Sequence, residues 1–117
     1  MTMENPNILY VGDIDRGRAL LAAVQAEGGY VYLPAELNEA LAMYVFYLPD
    51  VVVIDGTTRP ILALEAFYHL HSVNAQPMVL LSNGAHSEDV IALPLDADNE
   101  TILAAAHHAL QAQAFKW

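Results

Sequence analysis

Short apolar runs, several of them rich in β-branched residues, alternate along this chain with longer segments of helical period. That alternation restricts the fold more than any other feature. The runs are Ile8-Leu9-Tyr10-Val11, Tyr30-Val31-Tyr32-Leu33, Val51-Val52-Val53-Ile54, Met78-Val79-Leu80-Leu81 and a weaker Val90-Ile91-Ala92-Leu93. Uniformly apolar strands separated by helical segments are the pattern of a parallel sheet with helices on both faces, since only such strands are buried on both sides. The expectation is a single doubly wound α/β domain over residues 1–117, with Val51–Ile54 at its centre.

The intervening segments carry helix signals. A helix is expected over about residues 15–27, with Leu20, Leu21 and Val24 on one face and Gly28-Gly29 closing it. Pro34 suits the first turn of a second helix, whose core stripe reads Leu37, Leu41, Tyr44, Val45 and Leu48. A third is expected from Ile61 to Val73, and a last one from about Asp98, a suitable N-cap, to Gln113. Besides its core stripe, the second helix carries Met43, Phe46 and Tyr47 at i, i+3 and i+4, an apolar surface that predicts a homodimer or a protein partner.

Composition narrows the function. Hydrophobic residues make up 56% of the chain and charged residues 15%, which argues for a filled core. Fourteen acids against four Lys and Arg give a net charge of −10, which repels a nucleic-acid backbone, so no nucleic-acid partner is expected. There is no cysteine, which excludes disulfide and thiolate chemistry. Residues 1–7 lack the basic start of a signal peptide and no run is long enough to span a bilayer, so a cytoplasmic protein without membrane contact is expected. The histidines, His69 with His71 and His107 with His108, are not spaced for one helix face and predict no metal site.

In an open parallel sheet the reactive or binding groups gather at the carboxyl ends of the strands. Here those ends carry Gly12, Asp13 and Asp15 after the first run, Asp55, Gly56 and Thr57 after the third, and Ser82 and Asn83 after the fourth. Two carboxylates at neighbouring strand ends suit one hard divalent cation such as Mg²⁺, and the Ser82 hydroxyl suits an anionic oxygen. The competing reading is that Asp13 and Asp55 only end strands and cap helices.

This order of elements, with Asp13, Asp55, Ser82 and Pro94 at the ends of the first, third, fourth and fifth runs, resembles the receiver domain of two-component response regulators over nearly the whole chain. The resemblance implies a signal-transduction module of a phosphorelay that meets a sensor kinase or an output protein. It implies that Asp55 accepts a phosphoryl group, that Asp13, Asp55 and the backbone carbonyl of Thr57 hold Mg²⁺, and that Ser82 senses the phosphoryl group.

The departures point to an atypical receiver. One acid, Asp13, stands where the family has two in a row, and Gly12 fills the other place. Leu93 replaces the lysine before the proline, which removes the cation expected beside a phosphoryl group. Only Asn83 to Asp89 separate the fourth and fifth runs, so the family's fourth helix is lost or shortened. Weak Mg²⁺ binding, impaired or absent phosphorylation switching and action through protein contacts are the consequence. Enzymatic activity is expected at most as Mg²⁺-assisted self-phosphorylation of Asp55. An alternative, a small haloacid-dehalogenase-like phosphohydrolase, draws on Asp13-Ile14-Asp15 as an Asp-x-Asp pair but finds no late acidic pair for metal.

Overall fold

The computed structural model describes residues 7–56, 78–81 and 90–114. Five strands, β1 (Asn7–Val11), β2 (Tyr30–Tyr32), β3 (Val51–Asp55), β4 (Met78–Leu81) and β5 (Val90–Leu93), form one all-parallel sheet in the order β2-β1-β3-β4-β5. Three helices are described: α1 (Ile14–Gln25), α2 (Leu37–Tyr47) and α3 (Asn99–Ala114). The doubly wound plan and the central place of β3 are as the sequence predicts. The helix expected from Ile61 to Val73 lies outside the described residues, as does the β4–β5 connection.

Strand parity sorts the core into two layers, because alternate side chains leave opposite faces of the sheet. Ile8, Tyr10, Val51, Val53, Val79 and Leu81 pack with Leu20 and Val24 of α1 and Ile102 and Ala106 of α3. Leu9, Val52, Ile54, Met78 and Leu80 pack with Tyr44 of α2 on the other face. Each fully buried aliphatic side chain contributes about 1.5–3 kcal/mol, so the sheet's interior is the main source of stability.

The helix ends follow local chemistry. Asp13 caps α1, its carboxylate accepting the Arg16 N–H at 3.3 Å. Gly28 and Gly29 donate back to Gln25 and Val24 and close the helix, as their sequence suggests. Asp98 caps α3 by accepting the Thr101 N–H at 2.8 Å, and hydrogen bonds from the Thr101 side chain and then from this N–H hold its carboxyl below its ordinary value. The second helix departs from expectation at both ends. It starts at Leu37, so Pro34 is buried ahead of it rather than in its first turn. Its inward stripe is Ala40, Leu41 and Tyr44, with Met43 also packed inward. Val45 and Leu48, expected inside, are exposed together with Phe46 and Tyr47. The reason is that an 11-residue helix docked through Ala40 and Tyr44 turns its last residues off the sheet, and Leu48 ends it in the left-handed conformation at φ 48°.

Candidate functional site

Parity also decides which side chains meet at the strand ends. Tyr10 pairs in register with Val53, and Asp55 lies two residues further along the same strand, so Tyr10 and Asp55 leave the same face of the sheet. The Tyr10 hydroxyl donates to Asp55 Oδ2. Burial, and then this bond to a carboxylate, raises the Tyr10 hydroxyl far above the ordinary phenol range, so it stays a donor. Asp55 is the buried charged residue among the described side chains, with its carboxylate fully out of solvent.

A cation stands beside it. Arg16, in the first turn of α1, brings Nη1 to 3.6 Å from Asp55 Oδ2. The same guanidinium donates from Nη1 to the Leu95 carbonyl at 2.6 Å and from Nη2 to the Ala97 carbonyl. One planar group therefore joins the end of β3, the start of α1 and the loop between β5 and α3. Arg16, on a different element from Leu93, thus places a positive charge beside Asp55. Leu93 itself is partly buried against the core layer under α1 and α3.

Two glycines make this closeness feasible. At Gly12, with φ +154°, a Cβ would stand 2.6 Å from Asp55 Cβ and 2.9 Å from its carbonyl oxygen. The missing second acid is thus a steric requirement, since only hydrogen fits against Asp55 there. At Gly17, a Cβ would come within 2.9 Å of the Tyr10 ring, so this glycine lets α1 lie against the ring that reaches Asp55.

The expected site residues fall out as follows. Asp55 is at the centre. Asp13 lies two residues beyond β1, and its carboxylate accepts the Arg16 N–H at the α1 cap. Asp15 is on the solvent side of α1, its side chain 85% exposed and 3.8 Å from Arg18. Thr57 and Ser82 lie outside the described residues. A hard divalent cation wants several oxygen ligands around one or two carboxylates. Among the described residues no three His, Cys, Asp or Glu side chains converge, and Asp55 Oδ2 already faces a phenol donor and a guanidinium. Thr57, whose carbonyl the expected Mg²⁺ site also uses, lies outside the described residues; within them Asp13 caps α1 and Asp55 faces the Arg16 guanidinium.

Tyr10 and Arg16 are the residues that sequence reasoning missed. No family model matches the chain, and no curated protein matches it. Solved structures do. A response regulator receiver domain protein from Clostridium thermocellum superposes with a TM-score of 0.80 at 14% identity, over 96% of this chain and 99% of that one. The chemotaxis protein CheY4 of Vibrio cholerae gives 0.73 at 19% identity, over 89% and 98%. The receiver domain of the Erythrobacter litoralis response regulator PhyR gives 0.75 at 15%, over 93% and 92%. The chain has the receiver fold, and at these identities the likeness establishes the fold alone. No helix among the described residues is long and apolar enough to cross a membrane.

Proposed function

We propose that this chain is an atypical, receiver-like signalling module of a phosphorelay in the cytoplasm, in which Asp55 is closed to phosphoryl transfer and the signal passes through protein contacts. The observation that carries this reading is the state of the Asp55 carboxylate. A phosphoacceptor oxygen must reach its donor, whereas Asp55 Oδ2 is buried, accepts the Tyr10 hydroxyl and faces Arg16. Burial and hydrogen bonding of that kind lower nucleophilicity and block approach. Incubation with acetyl phosphate, with and without Mg²⁺, is expected to leave the intact mass unchanged. A phosphoryl adduct that maps to Asp55 and vanishes in Asp55→Asn would sink the closed-acceptor reading.

The contact surface in this proposal is the outer end of α2. Phe46 is 80% exposed, with Leu48, Val45 and Tyr47 beside it, and Tyr47 stacks on Tyr32 of the edge strand β2. No charge occurs from Ala40 to Pro49, on a chain that otherwise carries −10. Two copies meeting there would place no like charges in direct opposition, and apolar surface of this kind is a common docking site. Sedimentation at rising concentration should show association that Phe46→Glu abolishes, with no change in the unfolding midpoint at dilutions where both proteins are monomeric. A protein that stays monomeric throughout, with or without the substitution, refutes self-association at α2.

A further inference from the structure

Around the Arg16 guanidinium the fold gathers three oxygen groups: the Asp55 carboxylate, the Leu95 carbonyl and the Ala97 carbonyl. Carboxylates and backbone carbonyls are also what a hard divalent cation collects. The positive group at their centre here is covalently part of the chain. Its position is otherwise unfavourable, because a cation in the first turn of a helix opposes the helix dipole. The side chain is also only 18% exposed, so it has given up most of its water. Such a placement persists when the partners it reaches compensate for that cost.

We propose that Arg16 is the resident counter-ion of Asp55, standing where a divalent cation would stand, and that it makes the end of β3 and the β5–α3 loop independent of metal. The inference rests on the receiver-like reading for its setting, and on the three contacts of Arg16 for its content. Arginine suits the task because its fixed fork of donors serves several acceptors in one plane, whereas lysine offers a single point charge. The positive charge attracts Asp55 while the N–H groups hold the Leu95 and Ala97 carbonyls. The end of β3 is thereby coupled to the loop that leads into the Asp98 cap of α3.

A vacancy at position 16 leaves a carboxylate and two carbonyl oxygens facing one space, which is the opening for an added cation. The experiment is thermal unfolding of the full chain, of Arg16→Ala and of Arg16→Lys, each with Mg²⁺, with Ca²⁺ and with chelator. The parent chain should unfold at one temperature in all three conditions. Arg16→Ala should melt lower in chelator and regain about 4 °C or more with at least one cation, a response that ligand linkage requires of a new site. Arg16→Lys, which keeps the charge, should remain indifferent to cations, and Arg16→Ala with Asp55→Asn should lose the response. A purely structural role for Arg16 lowers the midpoint without any cation dependence. The proposal is overturned if the parent chain is itself stabilised by either cation. It is equally overturned if Arg16→Ala gains nothing, or is unfolded and stays so when cations are added. Labelling of Asp55 by acetyl phosphate is read separately, so the closed-acceptor reading can fail while the cation result stands.

Discussion

Gly12→Asp is expected to destabilise the protein by about 2–4 kcal/mol and to create no affinity for Mg²⁺. On sequence alone this substitution restores the second acid of a receiver site, so it ought to help. The geometry says otherwise. The backbone at position 12 has φ +154°, a conformation that residues with a Cβ rarely adopt. The added Cβ would stand 2.6 Å from Asp55 Cβ, and that atom is fixed by a buried central strand rather than by the free end of a long side chain. The new carboxylate would also bring negative charge toward Asp55, where Arg16 already serves as counter-ion. Urea denaturation measures the loss, and calorimetric titration with Mg²⁺ measures binding. A variant as stable as its parent, with a carboxylate-dependent Mg²⁺ isotherm, would mean that the pocket is looser than described.

The fold was legible because its signals are redundant. Val51–Ile54 has to be a strand buried on both faces, and the sheet order places it at the centre. The caps at Asp13 and Asp98 were open to the same reasoning, since a short acidic side chain ahead of an apolar helical period has one common use. Asp55 stood out at its strand end for the same reason. Its partners did not, because they come from a register and a loop that sequence does not display. Tyr10 reads as one more apolar strand residue until pairing with Val53 puts it on the Asp55 face. One signal was available: a buried tyrosine needs a partner for its hydroxyl. Arg16 carried a signal too, a cation in a helix's first turn with Asp13 and Asp15 nearby, where a solvent-facing ion pair is the ordinary explanation. That explanation holds for Arg18, which lies 3.8 Å from Asp15 in solvent, and fails for Arg16, which turns inward. The outward turn of Val45 and Leu48 was hidden for a different reason. From Ala40 to Tyr47 every residue of the helix is apolar or aromatic, so over that stretch the periodicity does not say which face docks.

Replacing Asp55 should produce a large loss of stability, and the size of that loss depends on what replaces it. Asp55→Ala strands the Tyr10 hydroxyl and leaves Arg16, mostly buried, without its carboxylate, so about 3–5 kcal/mol should disappear. Asp55→Asn keeps an oxygen that accepts the Tyr10 hydrogen bond and forfeits only the charge, for a smaller loss of about 1–3 kcal/mol. Tyr10→Phe removes one donor to a charged acceptor, again at about 1.5–3 kcal/mol. Because Tyr10 and Asp55 share one bond, combining Tyr10→Phe with Asp55→Asn should cost less than their separate losses together, by a coupling of about 0.5–3 kcal/mol. The pH dependence has a definite sign. Folding raises the Tyr10 hydroxyl above its unfolded value, so its contribution is complete below about pH 10, where an unfolded tyrosine titrates, and declines as pH rises beyond that. Tyr10→Phe should flatten that alkaline decline, measured as urea midpoints across the range. Strict additivity in the double variant, with an alkaline limb that Tyr10→Phe leaves unchanged, would show that Tyr10 and Asp55 do not hold each other in solution.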